Sequence, residues 1–346
     1  MAKFLLNSSH PDITPTASVC RTKSGHKTYN SSRLQSARIL LCKALMSDAR
    51  PIIQGTCLML TRRVRGRTFL LRPCPKVNQI IRYVLAVMSA RYKIDLHAVI
   101  AMSNHWHVVV SDEHANIVGF QRDCHSSISR ALNASFGEFE AVWSSSPPSR
   151  VECEEPDDLL GRIAYTMANP VKDGLVRHGR SWPGVRHAWP RKPQMIKKPK
   201  KFFRGEEKGG NWPAEMELKF TRPSGYEEYS DEELAEVVTR TIEEAEEKAH
   251  QTNREKGRRY LGRKKVLAQR RHSCPASYEE HFRNSPKVAC DDKWLRIERL
   301  KQNKQWLVDY KMALSKWRSG DREVEFPFGT YVMRVVHSAT CALVQS

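Results

Sequence analysis

A chain of 346 residues with 58 Lys and Arg against 38 Asp and Glu carries a formal charge of +20, which points to a polyanionic partner and makes nucleic acid the first candidate. An apolar fraction of 40% is enough for a core, while no apolar run is long enough to span a bilayer or shaped like a secretory leader, so neither membrane insertion nor export is expected. The nine cysteines are scattered, odd in number and without a C-x-x-C pair, a pattern of reduced thiols and not of a disulfide framework or zinc ribbon.

Residues 1–50 are polar and weakly periodic, and read as a disordered N-terminal extension with one short helix in LQSARILLCKALMSDAR. TCLMLTR then reads as a strand and RGRTFLL as a turn with an extended piece. KVNQIIRYVLAVMSARY places Val77, Ile80, Ile81, Val84, Leu85 and Met88 at helical spacing. HAVIAMSNHWHVVVSD, residues 97–112, reads as two alternating strands joined by a turn at Ser103 and Asn104. A second helix carries Ile117, Phe120, Cys124, Ile128, Ala131 and Leu132 on one face and closes at Gly137. VWSSSPPSRVECEE, rich in Pro and Ser, reads as an irregular loop. PDDLLGRIAYTMANPVKDGLV opens a third helix with Pro156, Asp157 and Asp158, and Pro170 is expected to end it. This order predicts an α+β domain over residues 51–190, a small antiparallel sheet covered by helices.

Beyond Trp189 the composition shifts, and residues 191–346 read as a basic, mostly helical accessory region. A Pro-punctuated basic linker comes first. A helix follows with a capping box at Ser230 and Glu233, then the basic run NREKGRRYLGRKKVLAQRRH. A second long helix ends at Gly320, and REVEFPFGTYVMRVV closes with an extended pattern.

The chemistry-bearing residues sit on two of these elements. Strand alternation puts His105 and His107 on one face, and Trp106 with Val108 and Val110 on the other. Two imidazoles so spaced can grip one metal ion, or they can be two solvated polar residues. On the third helix Leu160, Ile163, Ala164 and Met167 form an apolar stripe, with Tyr165 and Asn169 roughly opposite and one turn apart. Such a tyrosine is equally a surface residue. Taken together, a tyrosine hydroxyl can attack a phosphodiester when a divalent ion polarises the phosphate, and two imidazoles with an amide oxygen can hold that ion. His97, His114 and His125 read as surface or helix-end residues.

MSNHWHVVV resembles the histidine–hydrophobe–histidine (HUH) motif of single-tyrosine transposases. YTMANPVKDGLV resembles the tyrosine helix of their REP-associated branch, where Tyr is followed by three residues, Asn-Pro-Val and then Gly-Leu-Val. The resemblance covers about residues 51–190, and pieces of the C-terminal region look like the tail of larger members. Ser103 stands where a proline is common, and Met167 where a histidine often follows the tyrosine.

The resemblance implies a ferredoxin-like or RRM-like HUH nuclease domain that nicks single-stranded DNA beside a hairpin, leaving a 5′-phosphotyrosine and a free 3′-hydroxyl. His105, His107 and Asn169 would hold Mg²⁺ or Mn²⁺, and Tyr165 would be the nucleophile. Lys172, Arg177, Lys197, Lys198, Lys200, Lys201, Arg258, Arg259, Arg263, Lys264 and Lys265 are the candidate DNA contacts, although each can be ordinary surface charge. Phe202, Phe203 and Tyr260 can stack on bases or anchor their segments. The expected setting is the bacterial cytoplasm at the nucleoid, as monomer or dimer, with single-stranded or hairpin DNA as partner and neither membrane nor small-molecule cofactor. Two other readings stay open: a domesticated relative that binds hairpins without cutting, and a two-histidine hydrolase that uses water while Tyr165 is incidental.

Overall fold

Alternating apolar residues in three neighbouring stretches build the centre of one sheet. β1 (Thr56–Arg63), β2 (Asp95–Ala101) and β3 (His105–Asp112) pair antiparallel with β3 in the middle. β4 (Ser149–Cys153) pairs with β1, and β5 (Arg186–Ala188) with β2. β6 (Gln194–Lys197) and β7 (Glu215–Leu218) form a separate hairpin. β8 (Val288–Ala289) runs parallel to β4, giving a mixed six-stranded sheet of order β5-β2-β3-β1-β4-β8. The computed structural model describes residues 49–205, 212–276 and 286–343, all within one compact unit. The expected short N-terminal helix lies outside the described residues, as does nearly all of the expected extension.

Helices cover both faces. α1 (Pro75–Tyr92) and α2 (Ile117–Phe136) pack together over the face that carries Trp106, Val108 and Val110. All six apolar positions expected in α1 are buried to 1% exposure or less, each contributing about 1.5–3 kcal/mol of hydrophobic stabilisation. α3 (Pro156–Lys172) covers the opposite face, and α4 (Asp231–Glu255) packs along it. α5 (Arg263–Ala268) follows, and then α6 (Lys293–Arg318) and α7 (Tyr331–His337), which share a small core around Phe326. The expected α+β class holds. So do the hairpin turn, the αL closure at Gly137 and the Ser230–Glu233 capping box. The seven cysteines among the described residues are free thiols, and no described helix is long and apolar enough to cross a membrane.

Several local expectations are corrected. The Pro- and Ser-rich stretch contains β4, because Pro147 and Pro148 precede the strand and leave the edge of β1 free to pair with residues 149–153. The turn expected at the start of RGRTFLL is present, as a 3-10 turn at Arg65–Arg67 in which Gly66 takes a left-handed φ of 54°. Pro170 lies inside α3, which runs on to Lys172. The Val-rich C-terminal stretch is helical at Tyr331–His337, since Met333 is held in the core with Ala313 and Phe326, and packing outweighs β-branched propensity.

Buried histidines are a further correction. His97 sits at a bulge in β2, 2% exposed, with Nδ1 2.9 Å from the Thr221 carbonyl and Nε2 2.7 Å from Ser111 Oγ. His125 packs between Trp106 and Trp143. Burial lowers the His97 pKa below its ordinary value, and burial with nearby arginines pushes His125 and His187 down to about 3. Below about pH 6.5 the unfolded chain therefore takes up protons that these rings refuse when folded, and stability is lost as pH falls. Each such ring adds a slope of up to about 1.4 kcal/mol per pH unit. Thermal melts from about pH 7.5 down to about pH 5 should show a midpoint that declines once pH passes 6.5. A midpoint that rises over that range would contradict the burial of these rings.

Candidate active site

The histidine hairpin and the tyrosine helix meet on the α3 face of the sheet. His107 lies in the middle of that face, opposite Thr61 on β1 and Ile100 on β2. Its ring is 5% exposed, with Nδ1 2.7 Å from Thr61 Oγ1 and Nε2 3.1 Å from Asn169 Nδ2, a contact between residues 62 apart in sequence. Donation from Nδ1–H to Thr61 leaves the lone pair on Nε2, which accepts from the amide. Burial, reinforced by His105, Lys172 and Arg63, holds the His107 pKa well below 6.5, so the ring is neutral near pH 7. His105 Nδ1 is 2.8 Å from Asn104 Oδ1, and its ring centroid is 4.9 Å from that of His107.

Tyr165 brings the helix side of the site. Its ring meets His107 edge-on at 5.8 Å. Lys172, two turns further along the same face, donates to the tyrosine hydroxyl at 3.0 Å and also sits over the ring, 4.1 Å from its centroid. The hydrogen bond and the ring contact together hold the ammonium against the tyrosine oxygen. Met167 points the other way, 2% exposed in the core, so its departure from the family pattern takes nothing from the polar side of α3.

Asn169 is 3% exposed, and its Oδ1 is buried without a hydrogen-bond partner. An amide's O and N are interchangeable by a half-turn of the side chain. After that turn the oxygen would take the place 3.1 Å from His107 Nε2. Two donor atoms each about 2.1 Å from one ion at a right angle are about 3 Å apart, so this pair fits a shared divalent ion. His105 adds a second imidazole from the same strand face. Neutral nitrogen and amide oxygen, with phosphate oxygens completing the shell, would form a donor set suited to Mg²⁺ or Mn²⁺. Glu155, Asp158 and Cys290 also come within 4.8 Å of one another at the far end of α3. There Asp158 already accepts from the Glu155 and Asp291 backbone amides, which makes it a helix cap.

The other expected site residues fall into groups. Arg258, Arg259, Arg263, Lys264 and Lys265 are exposed and follow the tyrosine helix, with Arg258 bonded to the Lys172 carbonyl. Arg177 is exposed just beyond that helix. Lys197, Lys198, Lys200 and Lys201 belong to the other side, where the β6–β7 hairpin packs against α1. There Lys198 donates to the Trp212 carbonyl, and Phe202 and Phe203 are tied into an aromatic cluster with Trp212 and Tyr83, so these rings anchor their segment. Tyr260 is likewise an anchor, bonded to His250 and Asn253.

No protein-family model and no curated protein matches the sequence. Solved structures do. The chain is similar to transposases. A REP-associated tyrosine transposase solved bound to a REP hairpin is 20% identical, with 40% of this chain and 81% of that chain covered at a TM-score of 0.34. A protein of Deinococcus radiodurans R1 assigned as a transposase is 16% identical, covering 27% of this chain and 70% of its own at a TM-score of 0.22.

Sequence reasoning missed Thr61. A threonine in an apolar strand carries no signal of its own, and only the β1–β3 register places it on His107. Thr61→Val keeps the shape and removes the hydroxyl, leaving a buried ring nitrogen unpaired. Urea unfolding of this variant should show a loss of about 1–3 kcal/mol. An unchanged midpoint would mean that the ring has another partner.

Proposed function

We propose that the chain is a metal-dependent, single-tyrosine DNA endonuclease and strand transferase that acts on single-stranded DNA at hairpins. The observation that carries this reading is the convergence of Tyr165, His107 and Asn169, brought from a strand and a helix onto one face with Lys172 on the tyrosine oxygen. A divalent ion held by His105, His107 and Asn169 would neutralise charge on the scissile phosphate and polarise it for attack.

The remaining roles belong to the chain's own groups. The exposed cations at 258–265 and at 177 hold the backbone of the incoming strand beside the tyrosine helix. Tyr165 Oη attacks phosphorus. A phosphotyrosyl bond forms to the 5′ side, the phosphorus–O3′ bond breaks, and the leaving oxygen takes a proton to become a 3′-hydroxyl. The tyrosine hydroxyl proton passes to solvent, Lys172 orients the attacking oxygen through its hydrogen bond, and Thr61 holds the His107 ring in the tautomer that points its lone pair at the site. Attack by another 3′-hydroxyl on the phosphotyrosine reverses the step and joins new DNA. The basic residues at 197–201 lie on the β6–β7 side, against α1, and are assigned to a more remote part of the DNA.

The direct test is covalent capture of a hairpin oligonucleotide on a denaturing gel. Wild type should form an adduct only with Mg²⁺ or Mn²⁺ present. Tyr165→Phe should form none and bind the hairpin within about twofold of wild type, because only the reacting oxygen is lost. An adduct in Tyr165→Phe, or cleavage in wild type that leaves no protein on the 5′ end, would overturn the reading. Lys172→Met should slow capture by about tenfold or more, less than the 10²–10³ known for a buried donor because Lys172 is exposed. A rate equal to wild type would confine Lys172 to packing on the ring.

A further inference from the structure

A helix end leaves its last four carbonyls without partners inside the helix, and those partners must come from elsewhere. In α3 these are the carbonyls of residues 169–172, and Pro170, without an N–H, also removes one rung from the ladder before them. The chain's own next residues answer part of it: Asp173 N–H bonds the Asn169 carbonyl, Gly174 N–H that of Val171, and Leu175 and Val176 N–H share that of Pro170. A segment some 80 residues later adds further donors. Asn253, 1% exposed, donates its amide to the Val171 carbonyl at 2.7 Å. Arg258 Nη1 donates to the Lys172 carbonyl at 3.0 Å, a cation at the negative end of the helix. Leu261 and Gly262 then donate their N–H groups to the Gly174 and Leu175 carbonyls, both at 2.9 Å. The approach is close enough that a Cβ on Gly174, whose φ is +68°, would lie 2.7 Å from Arg258 Cδ.

The same segment continues to the other half of the site. Val266 of α5 is fully buried and pins it to the core. Three residues on, Gln269 Oε1 accepts from Ser103 Oγ at 2.7 Å, in the turn that leads into His105. Arg72 fastens the Gln269 carbonyl at 2.8 Å, and Leu71 N–H bonds the Ser103 carbonyl at 3.0 Å. One stretch of 17 residues is thus bonded at its start to the tyrosine helix and at its end to the histidine turn.

We propose that residues 253–269 are a strap that sets the register of Tyr165 against His105 and His107, with Asn253 and Gln269 as positioning residues. This rests on the reading of the site as a tyrosine nuclease for its catalytic consequence, but not for its structural one. It makes part of the C-terminal region a component of the catalytic geometry, beyond any affinity for DNA. It also gives Ser103 a specific partner, because a proline there would have no hydroxyl for Gln269.

The test uses the full chain and four proteins: wild type, Asn253→Ala, Gln269→Met and Gln269→Glu. Glutamate keeps the acceptor for Ser103, whereas methionine keeps only the size. Hydrogen exchange is followed in segments 101–107 and 165–176. Asn253→Ala should speed exchange at 165–176 and, through the strap, at 101–107 as well. Gln269→Met should do the same from the other end, and Gln269→Glu should stay near wild type. In covalent capture at saturating hairpin, Asn253→Ala and Gln269→Met should be slowed by about ten- to a hundredfold with hairpin affinity unchanged, the pattern of a misplaced nucleophile. Exchange altered only beside each substitution would overturn the strap, as would Gln269→Glu behaving like Gln269→Met. If Asn253→Ala does not fold, the Gln269 pair decides alone. If wild type forms no adduct, the nuclease reading falls, and hydrogen exchange still judges the strap.

Discussion

The contact between His107 Nε2 and Asn169 Nδ2 is the point on which the arrangement depends. It joins the central strand of the sheet to the helix that covers it, and both partners are almost fully buried. A buried imidazole and a buried amide each carry a desolvation cost that apolar residues there would not. The structure meets part of that cost with Thr61 on one side of the ring and leaves Asn169 Oδ1 unmet on the other. A core that keeps an unmet acceptor beside a neutral ring nitrogen gives up stability at that point, and a cation is the kind of ligand that would return it.

How much of this was legible depended on whether the signal was local. The alternation in residues 105–112 and the 3.6-residue period of α1 and α2 were readable because each face is filled by its own stretch. His105, His107, Tyr165 and Asn169 stood out for the same reason, being polar residues at fixed offsets from apolar rows. What could not be read was set by pairing across the fold. Thr61 acquires its role from a register, and β4 from the free edge of β1. His97 looked like a surface residue because its environment comes from Ser111 and Thr221, far away in sequence. The α7 segment misled because Val332, Val335 and Val336 favour strands, while Met333 and its distant neighbours decide the outcome.

The net charge of +20 reads differently once placed on the fold. It is not spread as one field. One set of cations follows the tyrosine helix, and another lies across the sheet on the β6–β7 side. At physiological ionic strength the Debye length is about 8 Å, so the two sets act almost independently on any polyanion. On the proposed function, a strand lying in the site would feel the first set, and a folded or long nucleic acid would be needed to meet both.

Pro170 ties these threads together. A proline near the end of a helix weakens its ladder, a cost in an element that on the proposed function holds the nucleophile. Beyond it the helix ends, and the terminal carbonyls of Val171 and Lys172 take outside donors from Asn253 and Arg258, Val171 in addition to the N–H of Gly174. The helix end is then held both by its own following residues and by a segment that also grips the hairpin turn. An end capped from within would be stiff but free to slide against the sheet as a unit. An end capped from outside is stiff relative to whatever the donor segment touches, and that segment touches the turn before His105. The outside donors at the end of α3 are therefore what tie its position to the other half of the site.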